Sequence, residues 1–169
     1  MTAQELISLL GLTPLPEEGG YFRETWRSHV TVAPGTLPLR YTGEKSLGTA
    51  IYYLLTSDAD SFSALHRLPS DEVYHFYLGD PVEMLLLAPD GAGRRVILGH
   101  NLSAGEHVQF IVPAGVWQGS RLVAGGQYAL LGTTMAPGFD PADYQPGVRA
   151  ELSAIYPQHS ASIQALTRM

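Results

Sequence analysis

Hydrophobic and polar residues alternate along most of this chain with a period of two. Successive side chains on a strand point to opposite faces, so that period predicts strands. Tyr21 to Arg27 places Phe22, Glu24 and Trp26 on one face and Tyr21, Arg23, Thr25 and Arg27 on the other, after a Gly19-Gly20 turn. Residues 48–56 (GTAIYYLLT) are almost all apolar and read as a strand buried on both faces. Residues 61–68 and 72–78 give the next two strands, which the short Pro69-Ser70-Asp71 turn brings together as a pair. Strands at 82–88 and 94–99 flank PDGAG, a hairpin signal. Residues 106–113 alternate cleanly, and strands within GVWQGSRLV and QYALLGTTM meet at Ala124-Gly125-Gly126, a second hairpin turn. Nine short strands with no helix between them predict an all-β fold, a double-sheet jelly roll or related barrel.

Helical spacing occurs only toward the ends. Thr2 and Glu5 form a capping box ahead of Leu6, Leu9 and Leu10, and Gly11 can stop the turn, so a short helix is expected over 3–10. Residues 148–156 and 157–167 read as one broken or two short C-terminal helices packed on the barrel, Pro157 suiting a first helical position. Residues 30–46 carry Pro, Gly and charge with no period and are expected to be a loop.

Composition narrows the class. The chain has 169 residues, 45% hydrophobic and 15% charged, which suits a single domain over 1–169 with one core. Its 18 glycines and 12 prolines are spread along the chain, as many turns require. A net charge of −6, with no basic run longer than Arg94-Arg95, argues against nucleic acid. The absence of cysteine excludes disulfides, thiolate ligands and a cysteine nucleophile. The N-terminus lacks a basic leader region and no stretch approaches a membrane span, so a cytoplasmic protein without membrane contact is expected.

The chemistry gathers around SALHRLPSDEVYHFYLGD, residues 63–80. His66 ends one strand and Glu72 begins the next. If Glu72 points inward, Tyr74, Phe76 and Leu78 share its face, while His75 and Tyr77 face the other way. Further on, PAGVWQGS places Gln118 on the same face as Val116 and Ser120.

This arrangement resembles the cupin superfamily. Its first motif, Gly then His-x-His, Glu and Gly, maps to His66, Leu68, Glu72 and Gly79, and its second, Pro-x-Gly-x-x-His, to Pro113-Ala114-Gly115-Val116-Trp117-Gln118. Two of four usual ligand positions therefore hold Leu and Gln. With PEEGGYFRETWRS and APGFDPADY the chain looks like the compact cupin 5 family, DUF985. That resemblance implies a cupin-type double-stranded β-helix, a homodimer, and a structural likeness to metal-free sugar-nucleotide epimerases that use a pocket histidine as base.

Three functions follow as expectations. In the first, the protein binds a small molecule and acts as a metal-independent isomerase or epimerase on a carbohydrate-like substrate, with His66 as base and Glu72 fixing its tautomer. In the second, it is a metal-dependent cupin enzyme, an oxygenase or isomerase, whose divalent ion would rest on His66, Glu72 and Gln118. In the third, it is a non-catalytic binding or structural module in which His66 and Glu72 form a hydrogen-bonded pair tying two strands. No cofactor is expected on the first reading. Tyr74, Phe76 and Trp117 could stack on a ring or be core aromatics. Arg23 and Arg27 could meet an anion from one strand face or be solvated. One hydroxyl of Tyr52 and Tyr53 must point inside; Tyr53, Arg23, Tyr74, Phe76, Gln118 and Ser120 complete the candidate binding wall.

Overall fold

The computed structural model describes residues 1–38, 41 and 43–168. Helix α1 (Ala3–Leu10) opens the chain. Thr2 and Glu5 cap each other reciprocally, and Gly11 closes the helix in the left-handed region at φ 61. Leu6 carries the burial, whereas Leu9 of the expected stripe is 72% exposed. The strands are β1 (Thr13–Pro14), β2 (Tyr21–Arg27), β3 (Thr31–Val32), β4 (Lys45–Ser46), β5 (Thr49–Thr56), β6 (Ser63–Arg67) and β7 (Glu72–Gly79). They continue with β8 (Val82–Leu87), β9 (Gly93–Leu98), β10 (Gln109–Val112), β11 (Trp117–Leu122), β12 (Tyr128–Met135) and β13 (Gln145–Pro146). Helices α2 (Arg149–Ile155) and α3 (Ser160–Ala165) follow, joined by a single 3-10 turn that starts at Pro157.

All nine expected strands form. The two-residue strands β1, β3, β4 and β13 are additions too short for a period to announce. β3 and β4 pair within the expected loop at 30–46, of which positions 39, 40 and 42 lie outside the described residues.

The strands build two facing antiparallel sheets, ordered β1-β2-β5-β12-β7-β10 and β13-β6-β11-β8-β9, beside the small β3-β4 pair. This is the cupin-type jelly roll, but the sheets do not close into a barrel. The assignment of strands to sheets corrects two expectations. β6 and β7 are not a ladder pair, because the Pro69-Ser70-Asp71 turn carries the chain from one sheet to the other. Likewise β11 and β12 belong to different sheets, so Ala124-Gly125-Gly126 is a crossover and not a hairpin. PDGAG does close a hairpin, with β8 paired to β9.

Between the sheets, Tyr53, Leu55, Tyr74, Phe76 and Leu131 from one face meet Val82, Met84, Leu86, Val96 and Leu98 from the other. The outer faces are partly covered. α1 lays Leu6 over Leu54 and Leu130, and α2 and α3 bring Leu152 and Ile163 onto Leu65, Leu85 and Trp117. β5 is thus buried on both faces where α1 crosses it, Tyr53 inward and Leu54 outward. At the end of β7, Gly79 takes φ +105, and a Cβ there would lie 2.3 Å from the Tyr128 carbonyl oxygen. The glycine of the first cupin motif is therefore a close-approach position.

Candidate functional site

The space between the sheets is apolar at one end and polar at the other. Antiparallel pairing sets Gln118 of β11 directly opposite His66 of β6, so both project to the same interior face. Glu72, first residue of β7, enters from the facing sheet. The Gln118 amide Nε2 donates to Glu72 Oε2 at 2.7 Å, joining the sheets across the interior. His66, Glu72 and Gln118 are all buried. The Gln118 amide oxygen is buried with no hydrogen-bond partner among the described residues.

His66 Nδ1 lies 2.8 Å from the Ala64 carbonyl oxygen. A carbonyl only accepts, so Nδ1 carries a proton, and a neutral ring keeps its lone pair on Nε2. The expected His66–Glu72 hydrogen bond is not among the bonds of the described residues. The two side chains start on opposite sheets; Gln118 engages the carboxylate and the strand's own backbone engages the imidazole. The residue that fixes the tautomer is therefore Ala64, through its carbonyl.

Burial pushes the Glu72 carboxyl above its usual range. The nearby His66 pulls it back down, Glu18 pushes it further up, and hydrogen bonding with Thr133 and Gln118 again lowers it. Burial also drives the hydroxyls of Tyr53 and Tyr74 well above their usual range, and the charge of Glu72 adds to the rise at Tyr74. Tyr144, whose ring stacks on His66 at 5.1 Å with 22° between planes, is likewise raised by burial and by Glu18.

His66 and Glu72 wall a cavity of about 70 Å³ together with Glu18, Leu68 and Thr133. Leu15, Glu18, Phe22, Glu24 and Phe139 are shared with a recess of about 480 Å³ that adds Glu17, Arg27 and Tyr144. The recess is of ligand size; the inner cavity admits only a functional group.

Several expected wall residues lie elsewhere. Arg23 is exposed on the outer face of β2, over the Tyr52 ring at 5.6 Å. It does not share a face with Arg27, because the register slips between Glu24 and Trp26 and returns Arg27 to the face of Phe22 and Glu24. The same slip turns Trp26 outward, 52% exposed. Tyr53 donates to the Gly19 carbonyl at 3.0 Å and packs in the core. The Tyr74 and Phe76 rings are core aromatics. Trp117 faces the C-terminal helices, beneath Arg67 at 4.5 Å. Ser120 is buried on the inward face opposite Ser63 and Met84, beyond the cavity walls. Leu78 departs from the face of Glu72 after a register shift and joins the α1 cluster.

The cavity also recruits residues that periodicity did not single out. Glu17 adopts φ 64, uncommon for a residue with a side chain. The turn it makes sets Glu18 to accept from the Ser63 hydroxyl at 2.7 Å. Arg168 secures that turn through the carbonyls of Glu17 and Glu18 at 2.9 and 3.1 Å, while also reaching the Asp60 carbonyl at 3.0 Å. Phe139 and Tyr144 sit on a segment anchored by the buried Lys45, which bonds Asp140 at 3.0 Å and Asp143 at 2.8 Å. The signal for these residues was present in PEEGGYFRETWRS and APGFDPADY, whose side chains converge on the recess.

The family described as Cupin superfamily (DUF985) matches residues 4–146. An uncharacterized protein of Saccharomyces cerevisiae is 30% identical over 135 residues, covering 75% of this chain and 66% of the yeast protein. The chain thus spans just under two thirds of that relative's length. A hypothetical protein from Leishmania major superposes with TM-score 0.88 and 34% identity, covering 100% of both chains. A Shewanella oneidensis protein gives TM-score 0.86 and 33% identity over 99% of this chain and 98% of that one. Bacillus subtilis oxalate decarboxylase shares the fold alone, at TM-score 0.51 and 15% identity over 92% of this chain and 37% of its own.

Proposed function

The chain belongs to the cupin superfamily, family DUF985, and from that premise we propose that it binds a small molecule between its sheets and moves a proton there without a metal. The observation that carries this reading is the state of His66. Its Nδ1 proton is committed to Ala64, so Nε2 is the basic atom left to a ligand reaching the cavity. Apolar neighbours such as Leu68 and Met135 limit water around it, and Glu72 lines the same cavity.

The chemistry fits isomerisation or epimerisation of a carbohydrate-like substrate. Nε2 takes a proton from carbon beside a carbonyl, and the electron pair moves to the carbonyl oxygen. Return of the proton to the other face, or to the neighbouring carbon, completes the step with no oxidant or reductant. Gln118 positions Glu72, and the recess holds the remainder of the ligand.

A divalent ion is the second reading, since manganese centres are named for the oxalate decarboxylase that shares the fold. The donor set here does not fit it. Leu68 replaces an imidazole, Gln118 offers one neutral amide oxygen, and among the described residues no group of three His, Cys, Asp or Glu is placed to hold an ion. No step is routed through a metal.

The test is to incubate the protein with a cell metabolite extract in heavy water and look for carbon-bound deuterium by mass spectrometry. The expected result is label in one or a few small molecules, lost with His66→Asn. Label that persists in that variant, or no label and no retained metabolite, overturns the reading.

A further inference from the structure

We infer that the ligand of this cavity carries a positively charged amino group. The inference rests on the binding site proposed above and names its substrate class. The cavity and recess bring together the carboxylates of Glu17, Glu18, Glu24 and Glu72 against, among the described residues, a single cation, Arg27. That cation is already committed. Its guanidinium bonds Glu24 at 3.0 and 2.7 Å and the Phe139 carbonyl at 3.0 Å.

A second observation is independent of charge. The Gln118 amide oxygen is a buried acceptor with no donor among the described residues, on a residue that shares its interior face with His66. Leaving such a group unpaired is costly. No hydrogen bond of the described residues reaches it. Gln118 Nε2 bonds Glu72, and the Ser63 hydroxyl bonds Glu18. With Nδ1 engaged by the Ala64 carbonyl, Nε2 is the ring nitrogen that His66 leaves to a ligand.

Carboxylates therefore dominate the site, with an unpaired amide acceptor beside them. A phosphate or carboxylate would meet an excess of carboxylates where water screens poorly, against one guanidinium already paired with Glu24. A neutral polyol could donate but would leave those charges uncompensated. An ammonium supplies three donors, no acceptor, and the opposite charge. The rings of Phe22, Phe139 and Tyr144 border its entry and offer faces that attract a desolvated cation.

Ethanolamine, ethylene glycol and glycolate are similar in size and differ in charge, so they serve as probes. Each is titrated at neutral pH while the His66 ring and Gln118 side-chain amide resonances are followed by NMR. Ethanolamine is expected to shift both, at least about tenfold more tightly than ethylene glycol, and glycolate to shift neither. Glu18→Gln is expected to weaken ethanolamine by about tenfold. Equal or stronger shifts with ethylene glycol or glycolate overturn the charge inference and leave the binding site standing. Unchanged ethanolamine affinity in folded Glu18→Gln does the same. Silence of both resonances with all three probes sinks the site and the inference together.

Discussion

Gln118 and Glu72 join the two sheets at the polar end of the interior, amide nitrogen to carboxylate oxygen at 2.7 Å. The bond orients the carboxylate, yet burial still holds the Glu72 pKa above its ordinary value of 4.5. The folded protein therefore retains this proton more tightly than the unfolded chain. The favourable contribution is complete below the unfolded value and is lost as pH rises through the folded one. Glu72→Gln, which keeps an acceptor for Gln118, should raise Tm at about pH 8 and lose that advantage toward about pH 4. Each kcal/mol would read as roughly 2–4 °C. An equal gain at both pH values would show that charge burial is not the cause.

Lys45 is a buried cation whose side chain is 1% exposed between Asp140 and Asp143. Burial works to lower its pKa, but the hydrogen bonds with Asp143 and Asp140 outweigh it and the result is a rise. Its contribution is present below the ordinary lysine value and lost only as pH climbs through the raised one. Asp140 is lowered, first by the Ala142 amide and then by Lys45, so its contribution fails only on acidification through that lowered value. Across neutral pH the cluster is intact. Lys45→Met should cost about 3 kcal/mol by chemical denaturation, because the buried Asp143 loses its cation while the more exposed Asp140 is left to water. It should also weaken ligand binding, since the same segment carries Phe139 and Tyr144. Parent-like stability would remove Lys45 from the account.

The two motif glycines should behave differently. At Gly79, with φ +105, a Cβ meets the Tyr128 oxygen at 2.3 Å and the Ala129 Cα at 3.0 Å. Gly79→Ala should cost about 2 kcal/mol or more. Gly115 has φ +80 but nothing within 4 Å, and asparagine tolerates that region. Gly115→Asn should therefore cost under about 1 kcal/mol. Equal penalties in thermal unfolding would discard the close-approach explanation for Gly79.

Protein purified without chelators should contain less than about a tenth of an equivalent of any transition metal, as expected of a site short of imidazoles. Elemental analysis decides this, and a stoichiometric metal that departs with His66→Ala would restore the metal reading.

The strands themselves were readable because period two is imposed locally, and the capping box at Thr2 and Glu5 is local too. Sheet membership was not. Whether a tight turn ends in a hairpin or a crossover depends on long-range pairing, and Pro69-Ser70-Asp71 and Ala124-Gly125-Gly126 look alike in either case. Arg27 illustrates a second limit. One slipped residue between Glu24 and Trp26 exchanges the faces of everything beyond it, so an arginine counted with Arg23 belongs with Phe22. His66, Glu72 and Gln118 were legible as inward residues from motif spacing. Which of them bond each other was not, since that depends on the distance between sheets. Glu18 escaped notice because its direction comes from the positive φ of Glu17, which no periodicity encodes.

Arg168 holds the Glu17–Glu18 turn from 150 residues away along the chain. A ribosome therefore delivers the acidic lip of the cavity long before the side chain that fixes it, and the strands between must already be docked for the two to meet. Biosynthesis leaves the entrance for late completion. A nascent chain with both sheets formed would still present an unsettled mouth.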